Sequence, residues 1–268
     1  MDPHQPPPIR ESGGDFPYWL VALGFLGLAA AIGIASSAEY RQIFATISNG
    51  VWITVTVTIF GFLFASSLGL LLAVMQLSGS RMARQVARFY IEVMRGIPTL
   101  VLLLYVAFVG APAIIAALNW AFGWAMEAPF RTRDFPLAWR ASIALMLAYS
   151  PFIAEVFRAG IQAVDHGQLE AAKALGLRPW HRFRHIVFPQ AIRTIAPPLG
   201  NDFVAMTKDS SLVSVLGVAD ITQMGKIYAA GSFRYFETYN VVAFVYLLLT
   251  VSLSLMLRRL ELSMKRRG

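Results

Sequence analysis

Six apolar blocks, each roughly the length of a membrane-crossing helix, constrain the fold of this chain more than any other feature. A helix needs about 20 apolar residues to cross ~30 Å of hydrocarbon. Only 14% of the 268 residues are charged, against about 25% in a typical soluble protein. The sequence therefore predicts an all-α integral membrane protein with six transmembrane helices, because too little polar sequence remains to cover such helices in a soluble fold. The blocks are Tyr18–Ser36, Val51–Leu77, Ile97–Leu118, Ala141–Phe157, Ile195–Val218 and Tyr239–Leu257.

The distribution of Lys and Arg predicts the orientation of these helices. Cytoplasmic connections of membrane proteins carry an excess of basic residues. Most of the basic residues here lie in the two tails and in the second and fourth connections. Both termini are therefore expected in the cytoplasm. The net charge of +8 reflects this bias, and no basic soluble domain suited to nucleic acid is present. The opposite side receives Arg41, Arg131, Arg133, Lys226 and Arg234.

The N-terminal region combines a proline-rich tail with the first apolar block. Residues 1–15 contain four prolines and no hydrophobic periodicity, which is typical of a disordered tail. The small residues from Ala35 to Ala38 suit a signal-peptide cleavage site, yet a signal peptide needs a positive leading region. Here Arg10 is outweighed by Asp2, Glu11 and Asp15. We therefore expect the block to be retained as a helix.

The longest cytoplasmic connection, between Phe157 and Ile195, carries the most informative pattern. Asp165 and Gln168 have capping-box spacing, which predicts a helix running to Leu175. Gly176 can then adopt the left-handed conformation that ends a helix. The first short helix could seat in a groove of another protein or lie on the membrane surface, and its chemistry leaves both open. A second amphipathic stretch is expected to bend or end at Pro189, and Pro197-Pro198 to break the chain again.

Residues in this connection resemble the EAA motif of ABC importer permeases, E-A-A-x3-G-x9-I-x-L-P. Phe188 stands where that pattern prefers Leu. Arg95-Gly96-Ile97-Pro98 is similar to the family's R-G-x-P turn. Three further stretches resemble its polar amino-acid branch: Ala154-Glu155 through Ile161, Leu199-Gly200-Asn201, and Lys208-Asp209-Ser210-Ser211-Leu212. The motif positions are Glu170, Ala171, Ala172, Gly176, Ile186 and Pro189.

The resemblance implies a permease subunit that imports a polar amino acid across the bacterial inner membrane. It covers a five-helix type I importer core at 45–257, preceded by an extra N-terminal helix and external link at 16–44. A basic cytoplasmic tail follows at 258–268. The six motif residues would form the ATPase-coupling surface, within a coupling loop at 162–193. The implied partners are a dimer of ABC ATPase subunits that holds ATP and Mg, a second permease subunit (identical or homologous), and an extracytoplasmic substrate-binding protein.

Polar residues inside the predicted membrane blocks are candidates for a substrate pathway or gate. A charge at mid-membrane costs about 2.5–3.5 kcal/mol, so such groups normally face protein or water. Opposite charges there could meet the ammonium and carboxylate of an amino acid. The alternatives are charge neutralisation at a subunit interface, a position at the membrane boundary and, for Glu155, simple pairing with Arg158. The candidates are Asn201, Asp202, Lys208, Asp209, Ser210, Ser211 and Glu155.

The sequence gives little support to an ATPase, a metalloprotein or a secondary carrier. A Walker A loop needs G-x4-G-K-S/T, and the only Gly-Lys pair, Gly225-Lys226, lacks the rest of that pattern. The chain is therefore expected to be no enzyme and to hold no cofactor of its own. His181 and His185 have i,i+4 spacing but are surrounded by arginines, so no metal site is expected. An ion-coupled secondary carrier or channel is the alternative, although no internal repeat typical of carriers is found. A membrane-embedded accessory protein without a pathway is a third possibility.

Overall fold

The computed structural model describes residues 18–125 and 128–266, and over these ranges the chain is built of helices and turns without a strand. The all-α prediction is confirmed. Turns of 3-10 helix occupy Ser210–Leu216, and π-helical turns occupy Val106–Gly110 and Phe183–Val187. The helices are α1 (Tyr18–Ser36), α2 (Ala38–Ser48), α3 (Val51–Leu77), α4 (Arg81–Gly96), α5 (Thr99–Tyr105), α6 (Ala111–Phe122), α7 (Leu137–Gln162), α8 (His166–Ala174), α9 (Pro179–Arg182), α10 (Phe188–Asp209), α11 (Ile221–Ser232) and α12 (Tyr235–Arg266).

Within the described ranges, four helical segments are long and apolar enough to cross a membrane. They contain or overlap the second, third, fourth and sixth predicted blocks. The first block forms α1, whose described apolar part is a shorter helix, Val21–Ser36. The fifth block forms the second half of α10 and the 3-10 turn after it. The structure therefore supports a multi-pass helical protein with four candidate spans. The predicted count of six spans includes two more segments, α1 and the fifth block, and stays a prediction. The four segments are Ala38–Leu77, Thr99–Phe122, Leu137–Gln162 and Tyr235–Ser263.

The main core lies between α3 and α7, which pack against each other along their length. Small residues on α3 allow this close approach, as in many membrane helix pairs. A Cβ added at Gly69 would lie 2.8 Å from Ile153 Cγ2, and one at Gly61 would lie 3.3 Å from Leu145 Cβ. Met206 of α10 is fully buried in the same cluster. The pathway candidates on α10 are thus attached directly to this core.

A second core joins α2, α11 and α12, and a buried polar group ties it to α3. Asp220 caps α11 by accepting a 2.8 Å hydrogen bond from the Gln223 amide. Tyr246 donates to the same carboxylate at 3.1 Å, and Thr54 of α3 accepts from the Ile221 amide at 3.2 Å. Burial raises the pKa of the Asp220 carboxyl, and its hydrogen bonds oppose that rise. These bonds fix the start of α11 against the two neighbouring helices.

The structure corrects the expected break at Pro197-Pro198 and shows that the chain does not end its helical course at Pro189. Pro197 and Pro198 lie inside α10, so the predicted break there is wrong. Helices packed in a membrane protein tolerate proline because neighbours and local adjustments re-satisfy the freed backbone groups. Pro189 does not end the second amphipathic stretch either. It lies in the first turn of α10, and helical turns lead from α9 into α10 without a gap. The π-helical turn Phe183–Val187 directly before α10 is a local adjustment of the kind that accommodates proline in a packed helix, and the other expectation at Pro189, a bend, stays a prediction.

Candidate functional site

The first candidate site is the motif-bearing connection between α7 and α10. Asp165 caps α8 through a 3.1 Å hydrogen bond from the Gln168 amide to its Oδ1. Gly176 ends α8 with φ of 72°, and the Leu177 amide bonds the Ala172 carbonyl at 3.1 Å. The predicted helix and its left-handed terminator are both confirmed. A side chain larger than glycine would be strained at this turn.

The short helix α8 contacts α10 through one hydrogen bond and lies against an apolar cluster shared by the adjoining ends of α7 and α10. Val164, Ala191 and Ile195 form a buried cluster with partly buried neighbours that include Leu169 and Ile186. Gln190 of α10 donates a 2.6 Å hydrogen bond from its Nε2 to Gln168 Oε1 of α8. A helix of this length is marginal alone in water. Its position therefore depends on these contacts, so movement of α8 would act on α7 and α10 together.

A close contact between α7 and α10 lies directly behind α8. A Cβ added at Gly160 would lie 2.2 Å from Ile195 Cγ1 and 3.4 Å from the Ala191 carbonyl oxygen. Only glycine permits this separation without displacing a neighbour. The two long helices are thus locked together where the short helix is attached.

The motif residues divide between an outer and an inner face of α8. Glu170 and Ala171 are exposed, whereas Ala172 is only 2% exposed and packs inward. After the end of α8, Leu175 is 80% exposed and Trp180 is also exposed. Trp180 stacks on Phe183 with ring centroids 5.8 Å apart. Exposed apolar side chains in contact with each other, such as Trp180 and Phe183, are candidates for an interaction surface.

The polar candidates of the fifth block lie on different sides of α10. Asp209 accepts a 2.8 Å hydrogen bond from the Tyr149 hydroxyl of α7, and Asp202 lies about two turns earlier on the same side of α10. Asp202 Oδ2 is buried and has no hydrogen-bond partner among the described residues. This acidic side of α10 therefore faces α7 and contains an unsatisfied carboxylate oxygen.

Asn201 and Lys208 point elsewhere, into a cavity of about 490 Å³ between α10 and α12. The other polar residues that line it are Ser254, Arg258 and Glu261. Lys208 and Asp209 are adjacent in the sequence, yet a helix rotates about 100° per residue, so their side chains leave α10 in different directions. The structure therefore separates two candidates that sequence analysis grouped.

The remaining candidates have local roles in the structure. Ser210 is buried, and its hydroxyl donates to the Thr207 carbonyl at 2.8 Å. Ser211 is half-buried in the 3-10 turn. Glu155 pairs with Arg158 one turn later on α7. This is the simple pairing that the sequence analysis gave as the alternative to a pathway role. None of these three lies among the residues lining the cavity that contains Lys208.

Sequence reasoning missed two residues that the structure makes central. Tyr149 is one of several aromatic residues in an apolar block, and nothing in its spacing marked it as the partner of Asp209. Arg140 directly precedes the fourth predicted block, Ala141–Phe157, and it is 6% exposed. Its guanidinium donates to the carbonyls of Phe135 (2.9 Å), Ala107 (3.1 Å) and Thr132. A charge at the start of an apolar helix was the available signal for Arg140.

The family model for a binding-protein-dependent transport system inner membrane component matches residues 65–266. The chain belongs to this family. It is therefore a transport component of the bacterial inner membrane and not an enzyme. Among the described residues, no cluster of three or more His, Cys, Asp or Glu side chains could hold a metal ion.

Individual relatives resemble this permease over most of its length. The glutamine transport system permease protein GlnP of Escherichia coli (strain K12) is 35% identical over 217 residues, which cover 81% of this chain and 92% of that protein. The probable amino-acid permease protein YxeN of Bacillus subtilis (strain 168) is 34% identical over 223 residues, covering 83% and 93% respectively.

Solved structures share the fold. An amino acid ABC transporter crystallised with histidines has a chain with a TM-score of 0.68 and 35% identity, covering 88% of this permease and 98% of that chain. The MetNI methionine ABC transporter in an inward-facing conformation gives a TM-score of 0.62 at 18% identity, covering 85% and 99%. The second similarity concerns the fold alone.

Proposed function

We propose that this permease forms the membrane pathway of an ATP-driven importer for a polar amino acid and is driven by separate ATPase subunits through α8. The observation that carries the proposal is the attachment of α8. The helix exposes Glu170 and Ala171, while Gln168 bonds to Gln190 of α10 and Leu169 packs against the apolar cluster at the ends of α7 and α10. A partner that moves α8 would tilt both long helices, and two packed arrangements of one bundle are a common basis for switching.

In this proposal, all six motif residues contribute to coupling. Glu170 and Ala171 contact a groove of the ATPase, and Ala172 and Ile186 hold α8 against the bundle. Gly176 forms the turn that ends α8, and Pro189 lies in the first turn of α10. ATP and Mg belong to the ATPase dimer. The other partners are a second permease subunit, identical or homologous, and an extracytoplasmic binding protein. The amino-acid substrate class is taken from the named relatives and from the motif positions of the fifth block.

The proposed topology has six spans with both termini in the cytoplasm. It adds α1 and the second half of α10 with its 3-10 turn to the four apolar segments. The importer core covers 45–257, with the added helix and link at 16–44 and the coupling loop at 162–193. The basic tail at 258–268 continues as helix to Arg266, and the tail at 1–15 lies outside the described residues. The excess of basic residues on one side supports this orientation.

The substrate pathway is proposed to pass the acidic side of α10. Asp202 and Asp209, near Tyr149, would meet the ammonium group of an amino acid, and Ser210, Ser211 and Glu155 would lie beside the route. The unsatisfied oxygen of Asp202 supports this assignment, because a buried carboxylate oxygen without a partner is costly unless a ligand or water satisfies it. Asn201 and Lys208 lie on the opposite side of α10, at the cavity shared with α12, and are left outside this route.

The test of coupling is charge reversal at the outer face of α8. Glu170→Lys should release the ATPase during purification of the complex and abolish ATP-dependent uptake in proteoliposomes that contain the binding protein. Glu237→Lys, in the first turn of α12, is the matched control and should retain the ATPase. Full uptake by Glu170→Lys would contradict the proposal. Uptake by the isolated chain under an ion gradient would favour the secondary-carrier alternative.

A further inference from the structure

A continuous groove runs along α12, between that helix and its neighbours α1 and α10. Its polar end is the 490 Å³ cavity lined by Lys208, Arg258 and Glu261. A second cavity of about 280 Å³ shares Val204, Lys208 and Ser254 with the first. Because these cavities share lining residues, they form one groove.

The apolar end of the groove lies between α1 and α12. A third cavity of about 330 Å³ shares Leu23, Leu247, Val251 and Leu255 with the second. Gly24 and Gly27 also line it, and a Cβ added at either would meet nothing within 4 Å. The two helices are therefore left unpacked at this point by the absence of side chains on α1.

The groove is polar at one end and apolar along the rest of its length. A phospholipid has the same arrangement, with a polar headgroup followed by apolar acyl chains. Lys208 lines both the polar cavity and the apolar one beside it, so its stem lies along apolar surface while its charge can reach the polar end. The apolar lining from Phe244 to Leu255 spans about 17 Å of helix at ~1.5 Å per residue. This length is close to the ~15 Å of hydrocarbon in one leaflet.

Charge at the polar end favours an anion. Lys208 and Arg258 outnumber Glu261, and none of these three side chains makes a hydrogen bond or ion pair within the described part of the chain. We propose that the groove binds an anionic phospholipid such as phosphatidylglycerol. Lys208 and Arg258 bind its phosphate, its headgroup hydroxyls donate to Glu261, and one acyl chain lies between α1 and α12.

This site depends on a helix outside the matched family region. The family model begins at residue 65, whereas the apolar wall of the groove comes from α1 (Tyr18–Ser36). The lipid would fill the gap left by Gly24 and Gly27 and so attach the added helix to α12. The proposal does not rest on the transport function, because it concerns only the groove and the lipid.

The experiment is native mass spectrometry of the full chain, purified in detergent and titrated with phosphatidylglycerol or phosphatidylcholine. Phosphatidylglycerol should be retained in preference to phosphatidylcholine. Lys208→Gln and Arg258→Gln should each weaken its retention roughly fivefold, given the usual attraction of one basic residue for anionic lipid. Arg259→Gln removes a neighbouring charge that does not line the groove, and it should have little effect.

The acyl-chain part of the proposal has its own variant. Gly27→Leu fills the gap on α1 and should reduce retention of phosphatidylglycerol, whereas Ala29→Leu, outside the cavity lining, should not.

Soluble glycerophosphate should compete weakly, because it lacks the acyl chain. Equal retention of the two lipids, or equal effects of Arg258→Gln and Arg259→Gln, would overturn the proposal. So would full competition by glycerophosphate, which would identify a site for free phosphate. Loss of transport without these binding changes would concern the proposed function and not the groove.

Discussion

The Tyr149 hydroxyl donates a 2.8 Å hydrogen bond to Asp209 Oδ2, and this contact joins the helix that enters the coupling loop to the helix that leaves it. Tyr149 lies in α7 and Asp209 ends α10. The same two helices meet again at Gly160 and Ile195, behind α8. Helices α7 and α10 are thus in contact at two places along their length. One contact lies beside the acidic pathway candidates, and the other lies beside the proposed coupling surface.

Removing the Tyr149 hydroxyl should weaken uptake more than assembly. Tyr149→Phe leaves the Asp209 carboxylate without its donor, and a hydrogen bond to a charged group is worth about 1.5–3 kcal/mol. We expect reduced uptake in proteoliposomes while the ATPase remains bound. Tyr90→Phe is the control, because Tyr90 is another partly buried hydroxyl, 2.9 Å from Ser150 Oγ. Equal uptake by the Tyr149 and Tyr90 variants would remove this contact from the transport step.

Adding a methyl group at Gly160 should separate α7 from α10. Gly160→Ala places a Cβ within 2.2 Å of Ile195 Cγ1, and overpacking of this kind costs about 1–3 kcal/mol. Thermal unfolding in detergent should show the loss, and the double variant with Ile195→Ala should recover part of it, as expected for residues in direct contact. Gly123→Ala meets no atom within 4 Å and should be neutral. If the two glycine variants were equally stable, the close contact would be wrong.

Arg140 should hold the segment between α6 and α7, which the proposed topology places outside the cell, against the third predicted span. Arg140→Met removes the donors to Phe135, Ala107 and Thr132, and each buried group left unsatisfied costs about 1–3 kcal/mol. Trypsin added from outside should then cut faster at Arg131 and Arg133. The control, Glu237→Gln, alters a charge at the start of α12 and should leave this cleavage unchanged. An unchanged cleavage rate for Arg140→Met would show that other contacts hold the segment.

The sequence predicted the local structure of the coupling loop well because the signals there are local. Capping by Asp165 and termination at Gly176 depend on residues within one turn, and both are confirmed. Pro197 and Pro198 were misjudged because tertiary packing outweighs local propensity inside a membrane bundle. The link between Tyr149 and Asp209 joins positions 60 residues apart, and no periodicity within either helix reports such a pairing. For the same reason, adjacent Lys208 and Asp209 were grouped although they face different neighbours.

The central claim is that the outer face of α8 contacts the ATPase, and the absence of cysteine from the chain allows a direct measurement. A single cysteine carrying a photoactivatable benzophenone can be placed at Ala171, which is exposed, or at Ala172, which is buried. On illumination of the assembled transporter, Ala171→Cys should cross-link to the ATPase, whereas Ala172→Cys should not. Cross-linking of Ala171→Cys to lipid alone, or its labelling by an impermeant maleimide from outside the cell, would contradict the account.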